Sequence, residues 1–102
     1  MIRESDRIKS KLMALHLRLA ELRSEAERTR IHILQLEAER DDARLASLFG
    51  ESLEGRGQLE SQLEAAQKDL ERQQELIRRV RTTHAETQVR YSVARRQEQA
   101  GE

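Results

Sequence analysis

Apolar side chains recur along the first half of the chain in steps that alternate between four and three residues. They are Ile8, Leu12, Leu15, Leu19, Leu22, Ala26, Ile33 and Leu36, with Thr29 in the one polar slot. This spacing averages 3.5 residues and is typical of the buried seam of a coiled-coil helix. After Leu36 the seam weakens to Arg40, Ala43 and Ser47. We therefore expect a first helix over about residues 5–49, with Ser5 or Asp6 capping its start.

The second half of the chain repeats the same alternation over eleven positions. They are Leu59, Leu63, Ala66, Leu70, Gln73, Ile77, Val80, His84, Thr87, Tyr91 and Ala94. The pattern predicts a second helix over about residues 58–97. Because residues 95–102 place no apolar side chain on the seam, we expect a frayed C-terminal tail.

Glycine marks the only place where the chain is expected to reverse. Three of its four glycines lie within residues 50–57, and proline is absent throughout. A turn there folds one seam onto the other, and a reflection about Leu53 pairs seam residues whose numbers sum to 106. The predicted fold is therefore all-α, a single long antiparallel two-helix coiled-coil hairpin.

Composition limits the alternatives. Only 36% of the 102 residues are apolar and 37% are charged, which suits a two-helix seam better than a globular core. Nineteen basic and nineteen acidic residues give zero net charge, so we expect no strong attraction to nucleic acid. Cysteine is absent, and the N-terminal segment has no apolar run typical of a signal peptide or membrane span. These features favour a cytoplasmic protein without direct membrane insertion.

A second apolar face on the first helix lies opposite the seam. It comprises Met13, Leu17, Ala20, Ile31, Leu34, Ala38, Leu45 and Leu48. A helix that is apolar on two sides normally buries both, so we expect this outer face to bind another protein or a second copy, which would form a four-helix bundle. Phe49, next to the glycines, would extend this anchor. The alternative is that these are scattered surface aliphatics without a partner.

Arginines cluster in the middle of the second helix at Arg78, Arg79 and Arg81. They would form an electrostatic docking strip for an acidic protein surface. The alternative is an ordinary charged coiled-coil surface, with the strip balanced across the hairpin by first-helix glutamates, namely Glu21, Glu25 and Glu27.

Catalytic chemistry is not indicated. His16 and His32 are about four helical turns apart, too far to share a metal ion, and His84 is expected to project into the seam as a polar register-setting residue. The glycine-rich stretch lacks the pattern of a phosphate-binding loop, and a two-helix hairpin offers no enclosed pocket. We expect a non-enzymatic protein without cofactors, metal ions or small-molecule substrates.

The C-terminal segment carries a family resemblance. Tyr91 is followed by an Arg/Glu/Gln-rich run that includes Arg95, Arg96, Glu98 and Gln99. With the hairpin architecture, this segment resembles the FliJ/YscO family of type III secretion stalk proteins. The resemblance implies a stalk whose paired termini sit in the pore of the hexameric secretion ATPase, while part of the hairpin contacts the export gate. Two other interpretations stay open: a structural spacer or oligomeric adaptor unrelated to secretion, and a nucleic-acid-associated coil.

Overall fold

The computed structural model describes residues 2–50 and 55–101 and confirms a helical hairpin. Helix α1 runs over Glu4–Leu48 and helix α2 over Arg56–Ala100. The described residues contain no strand. The helix ends lie within three residues of the predicted ones. Of the predicted turn over residues 50–57, positions 51–54, and with them Leu53, lie outside the described residues.

Glycine ends α1 and precedes α2 in a conformation that other residues adopt at a cost. Gly50 has φ of 80° and Gly55 has φ of 85°, the left-handed region in which a side chain would crowd the backbone. The last turn of α1 tightens before this point, because the Phe49 amide donates to the Ala46 carbonyl at 3.1 Å. The Gly50 amide similarly donates to Ser47 at 3.2 Å. Glycine thus ends α1 by satisfying the backbone groups that a helix end leaves free.

The chain forms two compact units. We call Met1–Arg23 with Glu75–Glu102 the terminal unit, and Ser24–Gln74 the turn unit. Each unit contains one segment of each helix, so each has its own portion of the seam.

The core of the turn unit lies on its seam. Ile33 and Leu36 of α1 are buried together with Leu63 and Ala66 of α2, and the half-buried Leu59 and Leu70 pack against them. Burying a leucine or isoleucine side chain contributes about 1.5 to 3 kcal/mol, so this cluster stabilises the pairing of the two segments.

The core of the terminal unit is smaller and includes a polar residue. Leu19 and Leu22 are buried from α1, and Thr87 and Ala94 from α2. The Thr87 hydroxyl donates to the Thr83 carbonyl of its own helix at 2.7 Å, which satisfies its polar atom inside the seam. Thr29 does the same in the turn unit, donating to Glu25 at 3.1 Å.

The predicted seam is confirmed along both helices. Every predicted seam residue from Ile8 to Ser47 and from Leu59 to Ala94 is buried or half-buried. Two of the polar ones are imperfectly satisfied among the described residues: Gln73 Oε1 has no hydrogen-bond partner, and Arg40 Nε has only the Asp41 carboxylate at 3.6 Å. The apolar seam residues therefore stabilise the pairing of the two helices, and these two polar seam residues reduce that stability.

The register differs from the predicted one by one seam step. In the terminal unit Ser5 binds Glu98, and Ile8 lines the same cavity as Ala94. In the turn unit Thr29 and Gln73 line one groove. The hydrogen-bonded pair Ser5 and Glu98 has numbers that sum to 103, whereas the reflection about Leu53 required 106, and the residues that share a cavity or groove are compatible with the same shift. Both registers place every seam residue opposite another seam residue, so the spacing alone does not choose between them.

The two ends of the chain are joined by a hydrogen-bonded pair that the sequence reading missed. The Ser5 amide donates to Glu98 Oε1 at 3.1 Å, and the Ser5 hydroxyl donates to Glu98 Oε2 at 2.7 Å. Ser5 therefore does not cap α1 through its own side chain. Instead, the Glu98 carboxylate from α2 binds a free amide in the first turn of α1, where a negative charge is favourable.

Glu98 also changes the description of the C-terminal segment. It occupies the next seam step after Ala94 and is half-buried, and α2 continues to Ala100. Residues 95–102 place no apolar side chain on the seam, but the Glu98 carboxylate takes a seam step there, which the sequence analysis did not assign.

Candidate functional site

All the residues predicted to bind a partner are exposed. The apolar ones are Met13, Leu17, Ile31, Leu34, Leu45, Leu48 and Phe49, and the basic ones are Arg78, Arg79 and Arg81. They divide between the two units. Met13, Leu17 and the arginines belong to the terminal unit, and the other five apolar residues belong to the turn unit.

Met13 and Leu17 of the terminal unit lie beside a groove between the two helices. The groove has a volume of about 430 Å³, and α1 lines it with Leu12, Met13, His16 and Leu17. His84 and Gln88 of α2 complete it. Its walls are largely aliphatic with imidazole and amide groups at the edge, which suits an apolar side chain that carries or adjoins a polar group.

This groove joins two histidines that the sequence reading kept apart. His16 and His32 lie on the same helix, whereas His84 reaches the groove from the other helix. The signal was present in the seam pattern, because His84 is a seam residue and His16 directly follows the seam residue Leu15. The register between the two helices is the further information that places His16 and His84 in one groove.

The turn unit exposes its apolar side chains in two groups. Ile31 and Leu34 lie in the middle of α1, while Leu45, Leu48 and Phe49 lie at its end. Phe49 is 85% exposed because it follows the last helical residue and has no opposing side chain from α2 among the described residues. An exposed aromatic ring is a common anchor in protein interfaces.

The arginines of the terminal unit are held by their own helix. Arg78 Nη1 lies 2.8 Å from Glu75 Oε2, and Arg79 Nε lies 3.2 Å from Glu75 Oε1. A single carboxylate therefore holds two guanidinium groups. Arg81 is exposed one turn farther along.

Two of the α1 glutamates that were expected to balance the arginine strip across the hairpin form ion pairs within their own helix instead. Glu21 pairs with Arg18 at 3.2 Å, and Glu27 pairs with Arg30 at 3.4 Å, both within α1. The reason is geometric, since side chains three or four residues apart on one helix are already neighbours. The excess positive charge beside Glu75 is consequently left facing solvent.

The zero net charge of the chain conceals two oppositely charged units. The terminal unit contains 12 Lys and Arg against 7 Asp and Glu, a net charge of +5. The turn unit contains 7 against 12, a net charge of −5. At an ionic strength of 0.15 M charges are screened beyond about 8 Å, so a partner experiences the unit it touches and not the neutral total.

One carboxyl of the terminal unit has a shifted pKa. The hydrogen bond from the Ser5 hydroxyl, and then the one from the Ser5 amide, hold the pKa of Glu98 below its ordinary value near 4.5. Arg3 and Arg95 act in the same direction. Glu98 is thus kept ionised by the pairing of the two helix ends.

Two kinds of feature were sought among the described residues, grouped metal ligands and membrane-spanning helices. No three His, Cys, Asp or Glu side chains of residues 2–50 and 55–101 are grouped as ligands of a metal ion. Over the same residues, neither helix combines the length and apolar character that crossing a bilayer requires. What this part of the chain offers is surface for binding, in the form of exposed apolar side chains and segregated charge.

Comparison with known proteins supplies no family for the chain. Family models, curated proteins and solved structures all give no match.

Proposed function

We propose that this protein is a non-enzymatic adaptor of a type III secretion export apparatus, a helical stalk that binds the secretion ATPase ring and the export gate. The observation that carries the proposal is the pairing of net charge +5 with an exposed apolar groove in the terminal unit. The identity of the partners comes from the resemblance of the segment containing Tyr91, Arg95 and Arg96.

The terminal unit is the part proposed to enter the ATPase ring. Its arginines face solvent, and the ion pairs of Arg78 and Arg79 with Glu75 are exposed. Exposed ion pairs contribute about 0 to 1 kcal/mol each, so they can be exchanged for carboxylates of a partner at little cost. Contacts of this kind hold a stalk in an acidic ring without locking it as the ring changes shape.

The end of α1 is the part proposed to contact the export gate. Leu45, Leu48 and Phe49 are exposed there, with Gly50 in a left-handed conformation directly after them. An apolar cluster of this size provides a small anchor, and aromatic residues dominate the binding energy of such contacts.

A charge reversal tests the ATPase contact. The purified protein is expected to raise the ATP hydrolysis rate of the secretion ATPase from the same organism. Replacing Arg78 and Arg79 by Glu should weaken that effect by about tenfold or more in apparent affinity, because like charges would then face each other. Arg72→Glu is the matched control for the single variant Arg78→Glu, since Arg72 is 75% exposed against 74% for Arg78 and also pairs with a carboxylate of its own helix, but lies in the turn unit.

The secretion proposal would be contradicted if the protein caused no change in ATP hydrolysis and did not co-purify with the ATPase. Equal loss of stimulation by Arg72→Glu would remove the assignment of the ATPase contact to the terminal unit.

The gate contact has its own variant. Phe49→Ser is expected to abolish binding to the export gate component while leaving stimulation of the ATPase intact. Leu76→Ser on α2 serves as the control, because Leu76 is also exposed but belongs to the terminal unit. Loss of ATPase stimulation in Phe49→Ser would contradict the division of the two contacts between the units.

The net charge of +5 also favours a second candidate, a nucleic-acid-associated coil that binds phosphate through the terminal unit. Binding to duplex DNA would then weaken steeply between 50 and 200 mM salt, by about a thousandfold for six or more phosphate contacts. Absence of DNA binding at 50 mM salt, with stimulation of the ATPase retained, separates the two functions.

A further inference from the structure

Two exposed apolar faces on α1 have mirrored spacing. In the terminal unit Met13, Leu17 and Ala20 follow one another in steps of four and three. In the turn unit Ile31, Leu34 and Ala38 follow in steps of three and four. Each of these side chains is exposed. Read in opposite directions, the two faces have the same spacing, which is what antiparallel packing of one helix on another requires.

We propose that the face of the terminal unit binds the face of the turn unit in a second copy of this chain. The antiparallel arrangement places Leu17 opposite Leu34 of the other copy. The neighbouring pairs are Met13 with Ala38 and Ala20 with Ile31, so that large side chains meet small ones at both steps. Each copy contributes both faces, so the contact repeats about a two-fold axis and produces an antiparallel dimer.

Polar side chains fit the same alignment at its centre and on one flank, whereas the other flank places Arg23 opposite Arg30 of the second copy. Ser24 and Glu27, which separate the two faces, lie opposite each other near the axis and leave no apolar residue facing a charge there. On one flank, Arg7 lies opposite Asp42 of the second copy, and Glu21 lies opposite Arg28. Arg28 and Asp42 make no ion pair within the described part of their own chain, so both are available to a second copy.

Net charge selects the antiparallel arrangement. It places a unit of net charge +5 beside a unit of net charge −5, twice per dimer. A parallel dimer would match the apolar faces equally well but would place units of like charge side by side, which is unfavourable. The opposite charges of the two units are the reason for committing to a second copy as the occupant.

The self-interface goes beyond the proposed function and does not depend on it. It uses Met13 and Leu17, which also line the groove of the terminal unit, whereas the docking variants described above test the arginines of α2 and the end of α1. Failure of the ATPase experiment therefore leaves the dimer standing, and a monomeric protein leaves the ATPase contact standing.

Sedimentation equilibrium gives the first test. The 11.9 kDa chain is expected to sediment as a dimer of twice that mass at micromolar concentration. Leu17→Glu should dissociate the dimer, and the control Val89→Glu should not, although the two side chains are 63% and 64% exposed and belong to the same unit. Circular dichroism checks that both variants stay helical. A monomeric wild-type protein at 1 mM would overturn the proposal, as would equal behaviour of the two variants.

Disulfide crosslinking gives the orientation, because the chain has no cysteine of its own. A mixture of Leu17→Cys and Leu34→Cys proteins should form a disulfide-linked heterodimer on mild oxidation. Either variant alone should crosslink much more slowly, since Leu17 faces Leu34 and not Leu17 in the other copy. Rapid crosslinking of each variant to itself would show a parallel dimer and contradict the charge argument.

A charge swap tests the flank. Arg7→Asp and Asp42→Arg should each weaken the dimer by about tenfold or more, and the double variant should recover most of the wild-type affinity. Additive weakening in the double variant would show that these two side chains do not meet.

Discussion

The stability of the terminal unit depends on a few deeply buried side chains. Leu22 is 1% exposed and is one of the largest fully buried side chains of the described residues. Leu22→Ala should therefore lower the free energy of unfolding by about 2 to 5 kcal/mol, the cost of removing buried methyl groups and leaving a cavity. Leu45→Ala, at an exposed position of the same helix, should change it by less than about 0.5 kcal/mol. Urea denaturation measures both, and equal effects would contradict the assignment of Leu22 to the core.

Glu98 makes the stability of the folded chain depend on pH. Its pKa is lowered in the folded chain, first by the Ser5 hydroxyl and then by the Ser5 amide. Because the folded pKa lies below the unfolded one, the stabilisation is fully present above the unfolded value near 4.5. It is lost as pH falls through the lowered folded value.

The corresponding variant is Glu98→Gln, which should lower the thermal midpoint at neutral pH. Its midpoint should also fall less than that of the wild-type protein as the pH is lowered from about 6 to 2, because Gln does not titrate. Ser5→Ala should behave in the same direction, since it removes the hydroxyl donor. Parallel midpoint curves for wild type and Glu98→Gln would show that the Ser5–Glu98 pair does not contribute.

For the two helices, the seam from Ile8 to Ser47 and from Leu59 to Ala94 could be predicted, but its register and the Ser5–Glu98 step at its end could not. The 4/3 alternation identifies the buried side of each helix because burial depends on helical period alone. Shifting one helix by a seam step, from Leu36 opposite Leu70 to Leu36 opposite Ala66, still pairs seam residue with seam residue. The choice depends on how the turn closes and on specific contacts such as Ser5 with Glu98, which periodicity does not encode.

Glycines at the helix ends give a prediction at this scale. Gly50→Ala and Gly55→Ala should each cost about 1 to 2 kcal/mol, because both residues have positive φ. Gly57→Ala is the matched control, since Gly57 lies within α2 and an added methyl group there would meet open space. It should stabilise the protein by about 0.5 to 1 kcal/mol through helix propensity. Thermal unfolding of the three variants checks the order, and destabilisation by Gly57→Ala would contradict the placement of the helix start.

At the scale of the whole chain, the exposed residues were predictable and their grouping was not. Met13, Leu34 and Phe49 could be identified because they fall outside the seam. Which of these residues belong to which unit depends on the tertiary contacts between the helices, and the seam pattern does not give those contacts. The same division turns a neutral chain into two units of net charge +5 and −5, and so weakens the sequence-based argument against a charged partner. The groove beside His84 was missed because it needs both helices and the register.

The antiparallel pairing of α1 and α2 underlies every surface described above, and a distance between spin labels tests it most directly. Ser10→Cys and Ser92→Cys place the labels on exposed positions of opposite helices in the terminal unit, and the absence of native cysteine keeps the labelling specific. Electron–electron resonance in an excess of unlabelled protein should give one narrow distribution at about 2 to 3 nm, since paired helix axes lie about 1 nm apart. A distribution centred beyond about 5 nm, as two unpaired 45-residue helices would give, would contradict the hairpin and the surfaces assigned to it.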